Sequence, residues 1–317
     1  MTLDTWVAEH GTSSRTTCRV AQLELARSDD RILSLENDLA LPSVPFGTEF
    51  PDRYRQIGIA EANLMGVAAG LAQSGRIPYV NTFAVFATMR ACEQLRVDLS
   101  YPKAGVKVVG YYTGLSGGFA GPTHHSTEDI AVTRALPGFT VLSPADAYEA
   151  FLATKAAADI NGPVYLRASR GDTPMVHREE YDFRIGEAVT LREGSDVTII
   201  ATGCLIVPRA LEVADRLAER GISCRVVNMH TIKPLDTAAI IAAARETGLV
   251  VTYEDHNALG GLGSAVAGVV LEHAPAPVLR FGVPDVFCTR SDDYEQILDL
   301  HGLGASDVYD GIIGRLR

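Results

Sequence analysis

The chain alternates short strand-like segments with longer helix-like ones, and this alternation restricts the fold more than any other feature. RILSLEND (31–38), RIPYVNTF (76–83), VKVVGYY (106–112), FTVLSP (139–144) and PVYLRAS (163–169) are rich in β-branched and aromatic residues, which suit a pleated sheet. Between strands, TMRACEQLRVDLSY (88–101) and ADAYEAFLATKAAADI (145–160) space apolar residues at helical intervals. A further helix is expected to begin near Ser14, which reads as an N-cap. Strands joined through helices run parallel, and a parallel sheet needs helices over both faces. The polar stretch 169–188 interrupts the pattern, which resumes with DVTIIATG (196–203), SCRVVNMH (223–230) and LVVTYED (249–255). Helices are expected around 205–219, 236–246 and after 262. The reading is an α/β protein of two domains, 15–180 and 190–317, each a parallel sheet sandwiched by helices. A chain of 317 residues has room for two such cores.

Composition narrows the function. A net charge of −11 with no long basic cluster argues against nucleic acid and anionic membranes as partners. No apolar run is long enough to span a bilayer, and the start MTLDTWVAEHGTSS does not read as a secretory leader. Cysteines 18, 92, 204, 224 and 288 are odd in number and lack CxxC spacing, so reduced thiols and a cytoplasmic location are expected, without zinc.

Four stretches carry chemistry. QIGIAEANLMGVAAGLAQSG (56–75) places Glu61 at the start of a helix that is apolar nearly all round. Glu61 reads either as an acid matched to the helix dipole or as a buried carboxylate that needs a partner. In NTFAVFATMRACEQLR (81–96), Phe83, Phe86 and Met89 follow at intervals of three and would share a helical face, as core or as a platform for a flat ring. GYYTGLSGGFAGPTHHSTED (110–129) is a loop with five glycines after a strand, and it delivers His124 and His125. Such loops at strand carboxyl ends are where open α/β sheets bind ligands. Ser126 or Thr127, with Glu128 and Asp129, would cap the next helix, and one histidine would meet a polar substrate. YLRASRGD (165–172) ends a strand with Arg167 and Arg170, read either as salt-bridged residues or as a fork for phosphate or carboxylate. The glycine run 258–268 reads as a tight strand-to-helix turn, and His256 as a polar loop residue.

In this order, GIAEAN (58–63), TFAVF (82–86), GPTHH (121–125) and TIKPLD (231–236) resemble the C-terminal half of a transketolase, over about Arg15 to Asp285. The resemblance implies a pyrimidine-binding domain followed by a transketolase C-terminal domain, with thiamine diphosphate as cofactor. It makes Glu61 the carboxylate that hydrogen-bonds N1′ of the aminopyrimidine, and Phe83 and Phe86 the wall beside that ring. Asp38 would lie near the thiazolium, and His124 would contact substrate oxygens at the reacting carbon. Arg170 and Arg15 would hold a substrate phosphate. The GDG motif and downstream Asn of the diphosphate-binding domain are not found, so the resemblance implies that Mg2+ is held by a partner subunit and that this chain supplies no metal ligand. An α2β2 assembly is the expectation for such a split enzyme. TIKPLD is expected to serve dimer contact and structural support.

Two departures bear on substrate. The family's acid that reads a substrate hydroxyl is replaced by Ala120, and a phosphate-contacting histidine by Tyr112. The acceptor is therefore expected to differ from ordinary pentose phosphate aldoses. The expected activity is transfer of a two-carbon ketol unit from a ketose or ketose phosphate to an aldehyde. The alternatives are a deoxyxylulose-phosphate-synthase-like carboligase, the β subunit of a 2-oxo acid dehydrogenase, and a non-catalytic scaffold paralogue.

Overall fold

The computed structural model describes residues 2–39 and 45–316. Among the described residues, twelve strands form two sheets. In chain order they are β1 (Ile32–Glu36), β2 (Tyr54–Gln56), β3 (Ile77–Phe83), β4 (Lys107–Tyr111), β5 (Thr140–Leu142), β6 (Val164–Ala168), β7 (Val189–Arg192), β8 (Val197–Ala201), β9 (Cys224–Asn228), β10 (Thr231–Lys233), β11 (Leu249–Asn257) and β12 (Val278–Val283). The first sheet has the order β10-β5-β6-β4-β3-β1-β2 and is parallel except for the β10–β5 pair. The second has the order β12-β11-β8-β9-β7 and is parallel except for β7. The expected α/β class is what the chain adopts. The strands β2, β7, β10 and β12 and the helices Leu3–His10, Tyr294–Leu300 and Ala305–Leu316 add to the expected elements.

β1, β4 and β6 are buried along their whole length, as strands covered on both faces must be. On one face, Leu64, Met65 and Ala68 of the helix Glu61–Gln73 pack with Val80, Val108, Leu95 and Leu99. On the other, Cys18, Ala150 and Ala153 pack beneath Tyr79, Val109 and Leu166. β10 follows β9 in the chain yet closes the edge of the first sheet, with Thr231 opposite Leu142. Asp236 then caps the helix Thr237–Glu246 by accepting from Ala239 N–H at 2.9 Å. TIKPLD thus ties the two sheets together within one chain.

Buried polar contacts join the two halves. Arg167 is 2% exposed and donates to Asp129 at 2.9 Å and to Asp255 on β11 at 3.0 Å. Glu149, on the helix Ala147–Ala157, accepts from Asn228 on β9 at 2.8 Å. His256 is fully buried in β11 and not in a loop: Nε2 accepts from Ala131 N–H at 3.2 Å, while Nδ1 faces the Asn257 carbonyl. The glycine run forms the expected tight turn. Gly260 takes φ +89°, and a Cβ on Gly261 would stand 2.1 Å from the Glu254 carboxylate, which accepts from Leu262 and Gly263 N–H. Burial pushes that Glu254 carboxyl up to about 7.

Several local expectations fail for identifiable reasons. Ser13, not Ser14, precedes the helix Ser14–Ser28, because the Ser14 hydroxyl accepts from Ser169 N–H at 3.0 Å across the domain. Glu128 precedes the helix Asp129–Ala135 without a side-chain cap; instead Asp129 Oδ1 accepts from Ile130 N–H at 3.0 Å, while its Oδ2 accepts from Tyr165 and Arg167. The segment 88–101 is not one helix; it breaks into π-helical turns Phe86–Arg90 and Leu95–Ser100 around a short α-turn. The helix Glu61–Gln73 is not buried all round, and Asn63, Gly66, Val67 and Gly70 are exposed. All five cysteines are free thiols. Among the described residues, no helix is long and apolar enough to cross a membrane.

Candidate active site

The candidate residues lie at the carboxyl ends of neighbouring strands. β1 leads into Asn37 and Asp38, β3 ends at Phe83, β4 leads into Tyr112, and β6 leads through Ser169 to Arg170. This is the edge of a parallel sheet where ligands bind, because the loops there diverge over exposed strand ends. Asp38 and Tyr112 both take left-handed backbone conformations, at φ 52° and 63°. Such positions cost about 1–3 kcal/mol and recur at functional sites.

Glu61 opens its helix with no side-chain cap before it, and its carboxylate is 1% exposed. Asn37 donates Nδ2–H to Oε1 at 2.7 Å, and Arg90 donates to Oε2 at 2.8 Å. The residues alone left helix-start acid and buried acid with a partner both open. The carboxylate is indeed buried, and its partners come from two other elements. Arg90, whose guanidinium carbon is 4.2 Å from the Phe86 centroid, joins this carboxylate to an aromatic cluster: Phe83 and Phe86 centroids are 5.9 Å apart in an edge-to-face pair. The His124 ring closes the group, 5.3 Å from Phe83 and 5.1 Å from Phe86. The phenylalanines meet through a strand end and a π-turn rather than along one helical face, and Met89 is exposed. His125 is buried beneath the loop, where burial lowers its pKa, and it takes no place in the ring cluster.

Tyr112 links this cluster to the arginines. Its ring centroid is 4.6 Å from Phe83, and the guanidinium carbons of Arg15 and Arg170 lie 5.7 and 5.3 Å from it. Arg170 also lies over exposed Phe119, at 5.5 Å. Arg15 donates to the Leu39 carbonyl at 2.9 Å. Of the two arginines at the end of β6, Arg170 reaches the site and Arg167 is locked in the interior. A cavity of about 420 Å3, lined in part by Arg15, Arg19, Gln22, Ser34, Tyr112 and Arg170, opens at the arginine end. Below it, Arg19 donates to buried Glu36 at 2.9 Å. Burial raises the Glu36 pKa, against the pull of Arg19 and Arg15. Asp38 is exposed at the rim, and its N–H donates to Gln56 at 2.9 Å.

The sequence reading brought forward Asp38, Glu61, Phe83, Phe86, His124, Arg15 and Arg170, and the fold gathers all of them at one sheet edge. It passed over Asn37, Arg90 and Phe119. Asn37 lies beside Asp38 in LEND and was findable as a polar residue at a strand end. Arg90 is 29 positions from Glu61 and carries no local signal.

The family model "Transketolase, pyrimidine binding domain" matches residues 10–175, and "Transketolase, C-terminal domain" matches 186–308. The chain is 43% identical to the 6-deoxy-6-sulfo-D-fructose transketolase subunit of Clostridium sp. (strain MSTE9), over 84% of this chain and 83% of that one. It is 40% identical to an apulose-4-phosphate transketolase subunit of Phocaeicola vulgatus, over 86% and 88%. A solved structure described as a split gene transketolase, an inactive beta4 tetramer, superposes with a TM-score of 0.88 at 42% identity, covering 95% of this chain and 97% of that chain. With both domains matched in order and close relatives that are subunits of divided enzymes, the chain belongs to the transketolase family as a pyrimidine-binding domain followed by a transketolase C-terminal domain.

Proposed function

We propose that this chain is the pyrimidine-binding subunit of a two-chain transketolase that moves a two-carbon ketol unit from a ketose to an aldehyde. The observation that carries the reading is the buried Glu61 carboxylate beside the Phe83–Phe86–His124 cluster, with an arginine pair across Tyr112. These residues fit thiamine diphosphate. A dry carboxylate suits a ring nitrogen that carries a proton, and the aromatic edges suit a flat pyrimidine. When bound, the cofactor supplies the nucleophilic carbon and the electron sink for breaking a ketose between C2 and C3. Glu61 would hold the proton at N1′, Phe83 and Phe86 would flank the pyrimidine, and Asp38 would lie toward the thiazolium. His124 contacts the oxygens at the reacting carbon.

Arg15 and Arg170 take an anionic group at the far end of the sugar. The names of the two relatives, one acting on a sulfonated and one on a phosphorylated sugar, agree with a tetrahedral anion there. Ala120 offers no acceptor to a substrate hydroxyl, and Tyr112 offers no cation, so the preferred acceptor differs from ribose 5-phosphate. The diphosphate and its Mg2+ fall to an N-terminal partner subunit, in an α2β2 assembly in the cytoplasm.

The test is co-purification of the partner from the native host, reconstitution, and a screen of ketose donors and aldehyde acceptors with thiamine diphosphate and Mg2+. Glu61→Gln is expected to lower kcat by roughly a hundredfold or more, as for loss of acid–base assistance. Undiminished turnover in that variant would remove Glu61 from the mechanism. No turnover with any ketose despite cofactor binding would favour a scaffold instead.

A further inference from the structure

Glu61 is held on both oxygens, and the two donors are unlike. Asn37 is a neutral amide at 2.7 Å, buried at the end of β1. Arg90 is a guanidinium at 2.8 Å whose side chain is 49% exposed. Arg90 closes the π-helical turn that begins at Phe86, and its guanidinium carbon lies 4.2 Å from the Phe86 ring centroid. One turn of backbone therefore supplies both an aromatic ring of the site and the cation that meets the carboxylate. π-Turns of this kind recur at functional sites.

The last torsion of a glutamate is broad, so a single donor leaves the carboxylate plane loosely set. Two donors on different oxygens fix that plane, and a guanidinium braced on a ring does so better than a flexible ammonium. The half-exposed pair adds little to stability, so its consequence is geometric.

We propose that Arg90 is a positioning residue for Glu61: together with Asn37 it sets the plane of the carboxylate, so that a lone pair is presented to N1′ of the aminopyrimidine. This rests on the thiamine diphosphate reading above.

The experiment compares wild type, R90M and R90K in the complex reconstituted with the partner subunit. Cofactor affinity is read by calorimetry. Exchange of the thiazolium C2 proton into D2O is read by acid quench and proton NMR, alongside kcat and KM. In R90M, exchange is expected to slow by about tenfold to a hundredfold, the range of acid–base assistance. kcat should fall in parallel, with KM for the ketose and the cofactor Kd within about threefold, since neither ligand is anchored by Arg90. R90K should recover part of the rate, because it restores charge but not the fork. If R90M does not assemble, R90K alone decides: exchange below wild type at an unchanged melting temperature supports the role. Wild-type exchange in R90K or in R90M overturns it, as does a loss confined to Kd or to thermal stability. A wild-type complex that binds no thiamine diphosphate overturns the proposed function, and this inference with it.

Discussion

Glu149 is fully buried yet accepts five hydrogen bonds. Ala145 N–H and Tyr181 O–H each reach it at 2.5 Å, Asn228 Nδ2 at 2.8 and 3.0 Å, and His177 Nε2 at 3.2 Å. They come from the first domain, the connecting stretch and β9, so this one carboxylate latches the two halves together. Burial opposes the charge, but the His177 hydrogen bond, the nearby His230 and the Tyr181 hydroxyl outweigh it and hold the carboxyl down at about 2, from an ordinary 4.5. That gap is worth about 3 kcal/mol at about 1.4 kcal/mol per pKa unit. The figure agrees with the roughly 3–5 kcal/mol lost when a buried charge pair is broken. Glu149→Gln keeps the shape, but it turns an amide donor toward groups that themselves donate. We expect it to cost about 3 kcal/mol at pH 7, lowering Tm by about 6 °C at roughly 2 °C per kcal/mol for a chain of this size. A carboxyl with a lowered folded-state pKa stabilises above its unfolded value and loses that contribution as pH falls. The Tm difference between wild type and variant should therefore hold from pH 4.5 to near neutral and shrink as pH drops from 4.5 toward 2. At higher pH it should lose the share due to protonated His177 as that imidazole, whose pKa is raised against burial by Glu149, deprotonates. Calorimetric scans of both proteins across this range give the test. A difference under about 1 kcal/mol at neutral pH, or one that grows in acid, would refute the latch.

Arg170→Ala should raise KM for a phosphorylated or sulfonated ketose about tenfold to a hundredfold, the value of one charge-assisted hydrogen bond, and leave a neutral ketose unaffected. Equal effects on both substrates would sink the anion role. Ala120→Asp should raise kcat/KM for ribose 5-phosphate by about tenfold, by restoring an acceptor for its hydroxyl; steady-state kinetics with two acceptors decides this. Gly114→Ala should lose about 3 kcal/mol or more, because Gly114 has φ +55° and a Cβ there would lie 2.0 Å from the Asp255 carboxylate. A melting temperature near wild type would show that Asp255 can retreat from Arg167.

Much of this could be read from the chain. Alternating apolar runs gave most strands of both sheets, since β-branched clusters bounded by turn residues survive in almost any context. GIAEAN, TFAVF and GPTHH marked the residues that gather at the sheet edge. What escaped were features set by distant contacts. Arg167 and Arg170 are three positions apart and look alike in sequence, but strand register turns one toward Asp129 and Asp255 and leaves the other beside Tyr112. β10 is too short to announce itself and exists because the edge of β5 needs a partner. The helical spacing over 88–101 was real, but it was resolved into π-turns that no periodicity distinguishes from an α-helix.

The sequence by itself determined the α/β class and the chemical types at the site, because hydrophobic period and residue identity are local properties. Tertiary structure alone decided which donors meet each buried carboxylate: Asn37 and Arg90 on Glu61, Arg19 on Glu36, Asn228 on Glu149. Such a contact depends on distance in space and on exclusion from water, and neither is set until the sheets have closed and brought together elements far apart in the chain.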